Sequence, residues 1–147
     1  MTEEITGEKN LRWLILGTFL FYSLNVTGFR IKKFVLVESC LKTEPVDMVF
    51  WVPYCVGVVA FWIWPNVGQW VLLGFFILAV VTLFLTTGRF VIWPNERKTQ
   101  SYNKYFKDTH HIIKPSDIRL VPDTFHLALL VLVPLNLVGV ILWIVFR

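Results

Sequence analysis

Four apolar runs, Leu11–Phe29, Val49–Trp64, Val67–Ile92 and Thr124–Phe146, dominate the chain and leave few folds open to it. A helix rises 1.5 Å per residue, so about 20 apolar residues cross the roughly 30 Å hydrocarbon core of a bilayer. The third and fourth runs exceed that length. The second, about 16 residues or roughly 24 Å of helix, needs tilt, local thinning or burial against neighbours to span. The first carries Ser23, Asn25 and Thr27 near its end. The runs predict an all-α fold: a polytopic integral membrane protein, a single four-helix domain over residues 1–147, with connections at about 30–48 and 93–123.

The composition agrees. Hydrophobic residues make up 56% of the chain, charged ones 16%, and mean hydropathy is +0.63, whereas charged residues alone approach about a quarter of an ordinary soluble domain. Each of the seven Trp falls near an end of an apolar run, the position at which indole rings sit at the water–lipid boundary. Cys40 lies in a charged connection and Cys55 in an apolar run, a setting that argues against a disulfide framework and for reduced thiols. Residues 1–10 are acidic and lack the basic leader and cleavage site of a secretory signal.

Ile-Trp-Pro-Asn occurs twice, at Ile63–Asn66 and Ile92–Asn95. Pro disfavours helical geometry in the residue before it, Trp anchors at headgroup depth, and Asn tolerates a turn. The flanks differ: Val67-Gly68-Gln69 leads back into apolar sequence, and Glu96-Arg97-Lys98 opens a polar segment. The repeat therefore marks two membrane exits, on opposite faces, and no duplicated unit.

Arg30, Lys32, Lys33 and Lys42 lie in the first connection, and Arg97, Lys98, Lys104, Lys107, Lys114 and Arg119 in the third, with Arg89 close by. The opposite face holds Lys9, Arg12 and Arg147. The positive-inside rule puts both long connections in the cytoplasm and both termini outside, in what is expected to be a plasma (inner) membrane. The sequon Asn25-Val26-Thr27 then falls at the cytoplasmic end of the first span and reads as polarity for helix packing.

In the third connection, Tyr102, Tyr105, Phe106, Thr109, Ile112 and Ile113 recur at helical spacing, with Lys104, Lys107, Asp108, His111 and Lys114 opposite and Pro115 at the end. The pattern predicts an interfacial amphipathic helix whose lysines, with Arg119, meet lipid headgroups. Asp47 and Asp123 precede apolar runs as N-caps. His110, His111 and His126 fall on the same face as Asp108 and Asp123, a set that could carry acid–base chemistry. Adjacent His110 and His111 do not form an established ligand spacing, since helix neighbours point about 100° apart, so whether a metal is held is left unassigned. No Gly-rich phosphate loop and no nucleophile with an activating partner appears.

Between the interfaces the chain has no Asp, Glu, Lys or central His, which disfavours ion relay. Gly74 and Asn136 suit close helix packing, and Asn136 stands where it could bond across helices or within the turn kinked by Pro134. The expected function is a non-enzymatic membrane subunit, an accessory or scaffold that oligomerises or docks on a larger complex. Its partners are expected to be membrane lipids and protein, with no nucleic acid and no cofactor. The alternative is a membrane-embedded enzyme acting on a lipid or amphipathic substrate through His110, His111, His126, Asp108 and Asp123, and a small oligomeric transporter or channel is a further one.

Overall fold

The computed structural model describes residues 2–40 and 48–146, so the expected Asp47 cap and Lys42 lie outside the described residues. The protein is mostly helical, with two helices long and apolar enough to cross a membrane. Helix α1 spans Thr2–Thr27, about ten residues longer at its start than the apolar run. A Glu8–Arg12 ion pair at 2.6 Å, one helical turn apart, supports that extension. The helix ends at Gly28, whose φ of 75° is a left-handed conformation that a side chain would resist.

The next segment departs from the all-α expectation. Strands β1 (Phe29–Ile31) and β2 (Phe34–Val37) form an antiparallel hairpin turning at Lys32–Lys33. Val35 and Val37 are buried, and the Ser39 hydroxyl donates to the Val26 carbonyl at 2.6 Å, tying the hairpin to the end of α1.

Helix α2 spans Met48–Ile63. Helix α3 follows as one 28-residue rod, Pro65–Ile92, with a wide π turn at Phe84–Gly88 where the Arg89 N–H reaches the Phe84 carbonyl. Both Ile-Trp-Pro-Asn copies end a helix in the expected way: Trp64 sits at φ −131°, ψ 80° and Trp93 at φ −110°, ψ 98°. They then diverge. Pro65 opens α3 directly, whereas Asn95 caps helix α4 (Glu96–Tyr105) by accepting from the Lys98 N–H at 3.0 Å. The copies stand at opposite ends of α3.

The expected amphipathic helix is displaced by this cap. Helix α4 begins at the Asn95 signal and stops at Tyr105, where Phe106 takes a non-helical conformation. Its carbonyl accepts from the Thr109 hydroxyl at 2.8 Å. Ile112 and Ile113 consequently lie in irregular chain, exposed. Helix α5 is Thr124–Phe146.

The four long helices pack in a ring, α1 on α2, α2 on α3, α3 on α5 and α5 on α1. Neighbours run antiparallel: Leu11 faces Gly139 and Phe21 stacks on Phe125 at 5.0 Å. Helices α2 and α3 approach most closely at Gly68, where a Cβ would run into the backbone of Ala60 and Phe61. Tyr54 is the hub of the core, stacked on Phe75 at 4.6 Å, with its hydroxyl donating to the Ile15 carbonyl at 3.1 Å.

Only 28% of the apolar window of α3 and 22% of that of α5 is buried. Their Val, Leu and Ile side chains face outward around the ring, the reverse of a core helix in a water-soluble protein. Trp13, Trp64 and Trp70 are exposed at one end and Trp93 at the other. Trp51 instead turns inward and donates to the Ser23 hydroxyl oxygen at 3.0 Å. Cys40 is buried and Cys55 half-buried.

Candidate functional site

The hairpin, α4 and the chain that follows it cover the same end of the ring, held together by main-chain bonds. The His110 N–H donates to the Val35 carbonyl at 2.6 Å and the Thr124 N–H to the His110 carbonyl at 2.9 Å. Beneath this cover lies a partly open cavity of about 440 Å³ lined by all four long helices, within the roughly 300–1,000 Å³ of small-molecule sites.

Its walls change character with depth. Near the cover they are polar or aromatic: Glu38 beyond β2, Tyr102 on α4, Phe106 and Thr109 after it, and His126 on α5. Towards the centre of the ring, Tyr54, Phe75, Ala79, Leu129 and Val133 replace them, with Thr18, Thr82 and Thr87 interspersed. Thr87 belongs to the π turn, a backbone irregularity that recurs at functional sites. Among the described residues no Lys or Arg lines this space, and Glu38 is its one carboxylate.

His126 is the best-organised polar group of the wall. Asp123 is the N-cap of α5: its Oδ1 accepts from the His126 backbone N–H at 2.8 Å, while its own carbonyl accepts from Leu127 N–H at 2.9 Å. The same Oδ1 lies 2.7 Å from His126 Nδ1. A carboxylate there favours the tautomer with its proton on Nδ1, in which Nε2 is the acceptor of the neutral ring. The Asp123 side chain is only 1% exposed. Burial pushes its pKa up, but hydrogen bonds and charge from His126, with a smaller contribution from nearby Thr109, outweigh burial and hold the carboxyl below its usual range.

Tyr102 completes the group. Its oxygen accepts from the Asp123 N–H at 3.2 Å, and its ring stands 5.9 Å from that of His126. Burial, then the adjacent Asp123 charge, push the phenol pKa up, so the hydroxyl stays neutral and can donate.

The remaining sequence candidates are dispersed. His110 is exposed, with Nδ1 2.7 Å from the Thr124 hydroxyl and its ring against Phe34. His111 contacts the Phe106 carbonyl at 3.2 Å, and Asp108 is exposed. Among the described residues no three His, Cys, Asp or Glu side chains gather closely enough to hold a metal ion. Lys104, Lys107, Lys114 and Arg119 are exposed and outside the cavity. Asn136 makes both bonds its sequence position suggested: Nδ2 donates to Thr18 Oγ1 at 2.7 Å and to the Leu132 carbonyl at 2.8 Å. Gly74 faces outward with nothing within 4 Å of a Cβ placed there.

Tyr102 and the threonines of the wall were not singled out as site residues by their sequence. Tyr102, Phe106 and Thr109, which the sequence pattern put on one apolar face, all line the cavity. Searches against protein-family models, curated proteins and solved structures return no match to this chain.

Proposed function

We propose that the chain is an integral membrane protein that holds an amphipathic small molecule inside its ring of helices, polar end at His126 and apolar end among Tyr54, Leu129 and Val133. The cavity between the helices, polar under its cover and apolar below, carries this reading. It keeps the amphipathic ligand of the enzyme alternative, without assigning a reaction, and sets it ahead of the accessory subunit. In this reading all four long helices cross the plasma (inner) membrane, α1 and α2 stabilised by packing on the more apolar pair. The basic connections face the cytoplasm and both termini face outward.

The test is native mass spectrometry of protein purified in mild detergent. Wild type is expected to retain a co-purifying amphipath that the cavity-filling variant Ala79→Trp loses. Equal retention by a folded Ala79→Trp protein would overturn the reading.

The open outward face at Gly74 favours a second role, assembly with another copy or with a larger membrane complex, since small residues let transmembrane helices approach closely. Gly74→Leu would then abolish co-purification of the partner while leaving the retained amphipath unchanged.

A further inference from the structure

The charge pattern of the cavity restricts what its polar end can hold. An ionised head group taken out of water needs a partner of opposite charge. For an anion no uncommitted cation is at hand, because among the described residues no Lys or Arg lines the space, Glu38 does, and His126 is already matched by Asp123. For a cation the nearby carboxylates are already engaged, Glu38 with Arg30 at 3.4 Å and Asp123 with His126 at 2.7 Å. The basic side chains Lys104, Lys107, Lys114 and Arg119 that suggested phosphate recognition lie outside.

What the wall does offer is a neutral donor beside an acceptor. His126 Nδ1 is committed to Asp123, and among the described residues no protein group bonds Nε2. The Tyr102 oxygen accepts from the Asp123 N–H and keeps its own proton to give. A hydroxyl both donates and accepts, so a single small neutral group can satisfy both at once. We infer that the cavity selects an amphipath with an uncharged, hydroxyl-bearing head group, held by donation to His126 Nε2 and acceptance from the Tyr102 hydroxyl.

This rests on the cavity reading above, and the experiment separates the two. Binding of three probes with one oleoyl tail, 1-oleoylglycerol, oleate and oleylamine, is measured against full-length protein in detergent. The glycerol ester is expected to bind at least tenfold tighter than either ion. Tyr102→Phe and His126→Gln, each checked by thermal melting, are expected to weaken the ester about tenfold and leave the ions unchanged. Oleate or oleylamine binding as tightly as the ester, with all three lost in Ala79→Trp, would overturn the head-group assignment and keep the cavity. Binding of all three that is indifferent to Ala79→Trp would overturn both.

Discussion

Thr18 and Asn136 lie 118 residues apart in the sequence and meet through a 2.7 Å hydrogen bond, both fully enclosed where α1 crosses α5. With little apolar driving force between helices in lipid, such bonds and close packing hold the ring together. A double-mutant cycle with Thr18→Val and Asn136→Leu, read by unfolding in detergent, is expected to give a coupling of roughly 0.6 to 2 kcal/mol. Strict additivity would mean that the pair contributes nothing of its own.

Gly68 and Gly74 stand on the same helix and should respond oppositely to an added methyl. At Gly68 the Cβ would collide with the α2 backbone at Phe61, and backbone cannot rotate aside. Gly68→Ala is expected to cost about 1–3 kcal/mol, whereas Gly74→Ala meets open space and should leave the melting temperature unchanged.

Asp123 serves both as cap and as the anchor of His126, and two substitutions separate those roles. Asn accepts the same backbone bond, so Asp123→Asn should preserve the start of α5. Asp123→Ala should lose about 1 kcal/mol or more in thermal or chemical unfolding.

The same carboxyl gives a pH signature. Its pKa in the folded protein is below the ordinary value of 3.8, so its contribution to stability is complete above that value and disappears as pH falls through the lower, folded one. Melting measured from pH 6 down to pH 2 should show a decline below about pH 4 in wild type, shallower in Asp123→Asn. Identical curves would show that the carboxylate charge does not matter to folding.

The membrane arrangement is open to direct labelling. In a protein with Cys40 and Cys55 replaced by Ser, single cysteines at Asn66 and Lys104 should react with a membrane-impermeant maleimide from opposite sides of sealed vesicles. Reaction of both from one side would exclude the four-crossing arrangement.

Much of the helical layout was legible because it depends on local signals. Thr124–Phe146 and Met48–Ile63 match their apolar runs to within a residue or two, and the Trp-Pro steps stop helices wherever they occur. The hairpin was missed because its turn is Lys32-Lys33, with Lys32 at φ 54°, where Asn-Gly would have signalled a turn. Its lysines stood out as topogenic charge while the alternation of Val35 and Val37 went unread. The amphipathic helix was misplaced because Asn95 was read as a turn residue and not as a cap, which left the periodicity around Tyr102 to set the bounds. Of the five candidate acid–base residues, Asp123 and His126 join because a cap and the third residue after it are always neighbours. The cavity itself was not legible: Thr18, Tyr54, Thr87 and His126 share it only after four helices have chosen which faces to turn inward.

The wide turn at Phe84–Gly88 has a consequence for how α3 tolerates change in length. Such a turn absorbs one surplus residue, so the helix on either side keeps the phase of an uninterrupted rod. Removing one residue there should simply close the bulge, at the expense of the Thr87 position. The same deletion about two turns earlier, near Phe76, would swing every later side chain by about 100° and turn outward-facing residues such as Val81 toward the interior.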